Sequence, residues 1–147
     1  MAETRRVVQF ESPFGADNAG DIVRNVAYAL VGMPDSLYRG EAPFASHLLY
    51  TQMLDDADKD ERFRGITAGL AIGENAAATV VYDDLGISRG MKMGIDHAHE
   101  LGRPVEYRRL YANMGLWLRC RRKFWTIRRL TLCLYGQFMH ATCSVVQ

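Results

Sequence analysis

The sequence predicts a small α/β fold, a Rossmann-like three-layer sandwich with a parallel sheet, followed by a basic C-terminal helical tail. Short β-type apolar runs alternate with longer segments of helical periodicity, which is the pattern of parallel strands joined by helical crossovers. The chain has 147 residues, 48% hydrophobic and 24% charged, enough for one domain with its own core. Residues 1–110 hold 12 basic and 17 acidic residues, whereas residues 111–147 hold six basic and no acidic ones. We therefore expect an acidic domain over 1–110 and a basic aromatic extension over 111–147.

The first strand and helix are predicted from helix-capping residues and from glycine and proline, which end regular structure. Arg6–Phe10 is a short apolar run before a proline-containing loop, so it predicts a strand. Asp17 or Asn18 caps the next helix, and Gly32 predicts its end because glycine is a common helix stop and a proline follows. A loop then leads to a second helix at about residues 44–56.

The later elements follow from periodicity and β-branched content. A third helix is predicted at about residues 61–74, after a charge-rich connection. Ala77–Tyr82 is a continuous apolar run with β-branched residues, which is typical of a buried parallel strand. Ser88 caps a helix that ends near Gly102, and Pro104–Tyr107 predicts the last strand. These three strands should be parallel.

Ligands of such folds bind beyond the carboxyl ends of the strands, which selects the loop at residues 12–18. Gly15 permits a close backbone approach, and the helix start offers unpaired N–H groups to an anion. Ser12, Phe14 and Asn18 are the candidate side chains around it. The alternative is an ordinary capped turn between a strand and a helix.

The loop at residues 83–89 is the second candidate. Asp83 and Asp84 are paired carboxylates that could bind ribose hydroxyls, and Ser88, Arg89 and Gly90 combine a hydroxyl, a guanidinium and a helix N-terminus that suit phosphate. A nucleotide presents both groups. The alternative is an Asp turn with a capping serine and a solvated arginine.

The histidines and cysteines predict neither a metal site nor a cofactor. His47 could face the same cleft, or it could be a half-buried helix histidine. His97 and His99 point about 200° apart on a helix, so they cannot share one metal ion. Cys120, Cys133 and Cys143 lack a CxxC spacing and are odd in number, so we expect a reducing cytoplasm. We expect no transmembrane segment and no secretory signal.

The segment Val80–Gly94, with Gly102–Val105 after it, resembles the core of the nucleoside 2-deoxyribosyltransferase-like superfamily, whose Rossmann-like fold is related to the SLOG domains. Ser12–Gly15 resembles the first strand and loop of that superfamily. Pro43–Arg62 resembles its small phage and bacterial relatives of unassigned function. The likeness covers residues 6–110, and the extension has no counterpart in it.

The resemblance implies a site for a nucleoside or nucleotide. Family enzymes cleave or exchange the N-glycosidic bond with a glutamate nucleophile, and the matching position is Lys92, which cannot form a glycosyl ester. We therefore expect non-catalytic binding, with phosphate held by Ser88, Arg89, Gly90, Met91 and Lys92. Ribose would contact Asp83 or Asp84, and Ser12, Phe14, Gly15, Asn18 and His47 would complete the cleft.

This expectation extends to a homo-oligomer, and to a phage sponge that sequesters a cyclic or NAD-derived immune signal in the host cytoplasm. One alternative is an N-ribosyl hydrolase or transferase that uses Asp84 or Asp96 in place of the glutamate. Another is nucleic-acid or membrane-surface binding through the basic extension, where Arg119–Trp125 mixes basic and aromatic residues.

Overall fold

The computed structural model describes residues 4–111. The predicted basic helical tail lies outside the described residues, apart from Tyr111. Four strands and four α-helices follow one another in this part of the chain. In chain order they are β1 (Arg6–Glu11), α1 (Ala19–Tyr38), β2 (Glu41–Phe44), α2 (Ser46–Leu49) with a 3₁₀ turn (Tyr50–Gln52), α3 (Lys59–Gly73), β3 (Ala78–Tyr82), α4 (Arg89–Glu100) and β4 (Val105–Arg108).

The strands form one parallel sheet in the order β2-β1-β3-β4. Val8 is paired with Pro43 on one side and with Ala78 on the other, so β1 is a central strand. The chain first winds from β1 to β2, and then crosses back past β1 to β3. The point where the winding changes direction, between β1 and β3, is where such folds place their ligands.

The two faces of the sheet are covered by different helices. Val8 and Phe10 of β1 point to one face, where they join Tyr28 and Ala29 of α1 in the larger core cluster. The alternate residues Gln9 and Glu11 point to the other face, which α3 and α4 cover. Helices on both faces of a parallel sheet give the three layers that the sequence predicts.

The predicted end of the first helix at Gly32 is wrong. The helix runs through Gly32 and Pro34 to Tyr38. Gly32 is there because of packing: a Cβ at this position would lie 2.8 Å from the Phe10 ring. Gly40, at φ +82°, supplies the left-handed residue that follows the true end of the helix.

The predicted loop before residue 44 is also wrong, because Glu41–Phe44 forms the edge strand β2. Pro43 in this run argues against a central strand, but an edge strand tolerates proline. The sheet therefore has four strands where the sequence predicts three. The second helix, expected over 44–56, is reduced to α2 and the 3₁₀ turn.

Candidate functional site

A cleft opens at the carboxyl end of β1, between α3 and α4. Its volume is about 760 Å³ when the open solvent at its mouth is included. Its floor contains Gln9 and Glu11, and its walls come from α2, the 3₁₀ turn, α3 and the first turns of α4. It lies at the change of winding direction, which is the position that the fold predicts for a ligand.

Seven of the residues proposed from sequence line this cleft. They are Ser12, Phe14, Gly15, His47, Ser88, Gly90 and Met91. The fold thus brings the loop after β1, the start of α2 and the start of α4 together around one space.

The other six candidates do not line the cleft. Asn18 caps α1, where its side-chain oxygen accepts a hydrogen bond from the Asp21 N–H at 2.9 Å. Arg89, Lys92 and Asp96 are exposed on α4 and are absent from the cleft lining. The cations expected to hold phosphate therefore point away from the cleft floor.

Asp83 and Asp84 stabilise the fold on the α1 side of the sheet. Asp84 accepts a hydrogen bond from the Tyr28 hydroxyl at 2.5 Å and another from the Leu110 N–H at 2.7 Å. Asp83 accepts one from Arg109 at 3.1 Å. These carboxylates join the loop after β3 to α1 and to the chain that follows β4, and neither lines the cleft.

Glu11 is one of the cleft residues that sequence reasoning missed, together with Gln9 and Arg62. It ends β1, its exposed fraction is 8%, and it lines the cleft. Gly94 of α4 leaves room for it, because a Cβ on Gly94 would overlap the Glu11 carboxylate. Burial raises the pKa of Glu11 to about 7, although a hydrogen bond from Gln9 and the charge of Arg103 act in the opposite direction. Glu11 can therefore donate or accept a hydrogen bond near neutral pH.

A polar layer continues beneath Glu11. The Gln9 amide nitrogen donates to Glu11 at 3.4 Å, and the buried Gln9 Oε1 has no hydrogen-bond partner within residues 4–111. Arg103 lies below, where its Nε donates to the Thr79 hydroxyl at 3.0 Å and its Nη1 donates to the Gly73 carbonyl. An unpartnered buried acceptor costs about 1–3 kcal/mol, so this polar layer lowers the stability of the fold.

Ser12 and His47 form a hydrogen-bonded pair in the wall, with 2.9 Å between Oγ and Nε2. Burial lowers the pKa of His47 to about 4, so the imidazole is neutral at pH 7. The Phe10 ring stacks on the imidazole at 6.1 Å, and the Phe14 ring meets it edge-on at 6.3 Å. This wall offers an aromatic surface beside hydroxyl and imidazole groups.

The arginine among the cleft-lining residues lies at the mouth. Arg62 of α3 pairs with Asp56 at 2.9 Å, and its guanidinium lies beside Gly15. Opposite, Ser88 caps α4 by accepting a hydrogen bond from the Met91 N–H at 3.3 Å. Arg62 and the N-terminus of α4 are therefore the positive groups that an anionic substituent would meet in this cleft.

No group of three or more metal-binding side chains occurs within the described part of the chain. None of the helices in residues 4–111 is long and apolar enough to cross a membrane.

One family model matches most of the described residues. A family model described as a domain of unknown function (DUF7768) matches residues 6–108. The comparison with curated proteins found no match.

Proposed function

The chain belongs to the DUF7768 family, and we propose that it binds a nucleoside or nucleotide in the cleft between α3 and α4. The observation that carries the proposal is the buried Glu11 and Gln9 pair at the floor of a cleft at the change of winding direction. Buried polar groups without full hydrogen bonding are costly, and they cluster where a ligand completes their bonding.

The lining suggests how such a ligand would lie. A planar base fits the aromatic wall of Phe14 and His47, and sugar hydroxyls fit Ser12 and Glu11. A phosphate would point to the mouth, between Arg62 and the N-terminus of α4. Asp56 already neutralises the charge of Arg62. The cleft therefore suits a nucleoside or a ligand of low charge better than a polyphosphate.

Native mass spectrometry with nucleosides, nucleoside monophosphates, cyclic nucleotides and NAD derivatives tests this assignment. We expect one ligand class to bind, and Arg62→Ala to weaken its phosphorylated members at least tenfold. Arg64→Ala, at an exposed arginine two positions further along α3 that does not line the cleft, is the matched control and should bind normally. Lys92→Ala should also bind normally, which separates this site from the one expected from sequence. Absence of binding to every member of the panel would refute the proposal.

The narrower proposal is that the ligand is a cyclic or NAD-derived signal that the protein sequesters without altering it. Its support is the resemblance alone, since Lys92, at the position that matches the family nucleophile, does not line the cleft. It requires that the intact ligand be recovered after the protein is denatured. Recovery of a free base would contradict sequestration.

A second candidate function is hydrolysis or transfer at the N-glycosidic bond. Asp84 is held by Tyr28 and Leu110, and Asp96 is exposed, so neither suits the role considered for it. Glu11 favours this candidate instead, because it is a carboxyl group in the cleft whose pKa of about 7 suits a general acid. Release of free base by the native chain and its loss in Glu11→Gln, with ligand binding retained, would select this activity.

A further inference from the structure

Ser12 and His47, in the wall of the cleft, come from distant parts of the chain and meet through one hydrogen bond. Ser12 Oγ and His47 Nε2 are 2.9 Å apart, although 35 positions separate the two residues in the sequence. Both side chains line the cleft, and Ser12 is the first residue after β1. A serine hydroxyl that is bonded to an imidazole, in a cleft at the end of a strand, has the arrangement that activates a nucleophile.

The surroundings of His47 keep the imidazole available as a proton acceptor. The Phe10 ring stacks on it and the Phe14 ring meets it edge-on, so the packing fixes the ring orientation. Burial lowers the pKa of His47 to about 4, so the imidazole is neutral at pH 7. In the tautomer that carries its hydrogen on Nδ1, Nε2 accepts the hydrogen of the Ser12 hydroxyl.

We propose that Ser12 is a nucleophile activated by His47, and that the cleft hydrolyses carboxylic esters with a small acyl group. The Ser12 oxygen attacks the carbonyl carbon while its proton passes to His47 Nε2. The bond between the acyl carbon and the alcohol oxygen then breaks, and the alcohol takes that proton. Water attacks the acyl-Ser12 by the same route, which releases the carboxylic acid and restores the Ser12 hydroxyl. The reaction therefore consumes only the ester and water.

Two backbone N–H groups of the cleft lining suit the oxyanion of this reaction. Gly90 is the second residue of α4, so its N–H has no partner within the helix. The N–H of Gly15 donates to no backbone group within residues 4–111. Both glycines line the cleft, from loops that follow the neighbouring strands β1 and β3. Such donors stabilise the negative charge that develops on the carbonyl oxygen.

The apolar part of the lining indicates the substrate class. Leu54, Ile66 and Leu70 line the cleft and are half-buried, so they offer apolar contacts to an acyl group. Ser12 is only 3% exposed, which favours a small acyl group such as acetyl over a long chain.

The missing carboxylate sets the expected rate. Within residues 4–111 no carboxylate pairs with His47, and loss of the aspartate from a serine–histidine–aspartate triad lowers turnover about 10⁴-fold. We therefore expect slow hydrolysis. Covalent labelling of Ser12 is then a more direct readout than turnover.

Methanesulfonyl fluoride, a small reagent that sulfonylates activated serines, tests the proposal on the full chain. Peptide mass spectrometry should find the label on Ser12, and His47→Gln should slow the labelling at least tenfold. Ser46→Ala is the matched control and should be labelled at the native rate, since Ser46 lines the same cleft without an imidazole partner among the described residues. Circular dichroism establishes that each variant is folded. An unlabelled Ser12, or equal labelling of the native chain and folded His47→Gln, would overturn the proposal.

The pH dependence of the labelling identifies the base. The titratable and charged groups that share the cleft with His47 are Glu11, Tyr50, Asp56, Glu61 and Arg62. In a Glu11→Gln chain, which removes the carboxyl group with a pKa of about 7, labelling should change less than twofold between pH 7 and 5.5. A histidine with the ordinary pKa of about 6.5 would lose about eightfold over this range. That larger loss would contradict a buried His47 as the base.

Hydrolysis of nitrophenyl acetate measures turnover. The native chain should release nitrophenolate at least tenfold faster than Ser12→Ala, and equal rates would refute the esterase activity. Both assays contain no nucleoside, and the proposal does not require that one bind. Failure of this proposal and failure of nucleoside binding are therefore separate results.

Discussion

Replacing Glu11 with glutamine should change how the stability of this protein depends on pH. Burial raises the pKa of Glu11 from 4.5 to about 7 in the folded protein. Between these values the unfolded chain is ionised while the folded protein keeps its proton. The stabilisation is therefore complete below pH 4.5 and is lost as pH rises through 7. The 2.5-unit difference corresponds to about 3 kcal/mol, since one unit is about 1.4 kcal/mol. Glutamine has nearly the same shape and does not ionise.

Urea denaturation at pH values from about 3 to 8.5 measures this difference. With increasing pH the native chain should lose about 3 kcal/mol of unfolding free energy relative to Glu11→Gln. Glu106→Gln is a control of opposite sign, because hydrogen bonds from Arg108 and Arg6 lower the pKa of Glu106. Ionised Glu106 stabilises the fold above pH 4.5, the pKa of glutamate in the unfolded chain. This stabilisation is lost as the pH falls below that value.

Parallel stability curves for the native chain and Glu11→Gln over this range would refute the reasoning. They would mean that Glu11 stays hydrated in the folded protein, and that the cleft floor is not the low-dielectric environment inferred from its 8% exposure. Both the general-acid role and the hydrogen-bond donor role of Glu11 would then lack their physical basis.

Three other substitutions or conditions separate the cleft from the scaffold. Gly94→Ala should displace the Glu11 carboxylate, lower stability by about 1–3 kcal/mol and weaken ligand binding. Gly90→Ala should fold normally, because its Cβ would meet only a side chain at 4.0 Å. Thermal melts and ligand titrations compare the two variants. Asp84→Asn should lower stability by about 1–3 kcal/mol through two weakened hydrogen bonds but leave ligand affinity unchanged, which urea melts and binding titrations check together. The His47 pKa is lowered from 6.5 to about 4, so its contribution is complete above pH 6.5 and is lost on acidification through pH 4; His47→Gln should remove that part of the acid sensitivity in the same melts.

The order of elements was predictable, because it depends on local patterns. The continuous run before Tyr82 and the cap at Ser88 gave a strand and a helix within about a residue of their observed starts. The end of α1 was not predictable in this way. A glycine at position 32 gives the same sequence pattern whether it ends the helix or makes room for a neighbouring aromatic ring. The contact with Phe10 in the structure shows that Gly32 makes room for a ring.

The candidate site was predictable where it depended on loop position and not where it depended on side-chain direction. Ser12 and Ser88 follow or precede elements whose ends meet at one edge of the sheet, so the topology alone brings them to the cleft. Asp84 also follows a strand, but its side chain turns towards Tyr28 on the opposite face. The loop that carries a residue does not determine which face of the sheet its side chain reaches.

The alternation along β1 is the signal that would have found Glu11. A central strand covered by helices on both faces is normally apolar at every position, as β3 nearly is. β1 instead alternates Val8, Gln9, Phe10 and Glu11, which indicates a strand with one solvated face, yet all four are buried. Burying an amide and a carboxyl beneath two helices costs free energy that apolar residues would not. That cost and the open cleft above Glu11 are the two observations on which the proposed ligand site rests.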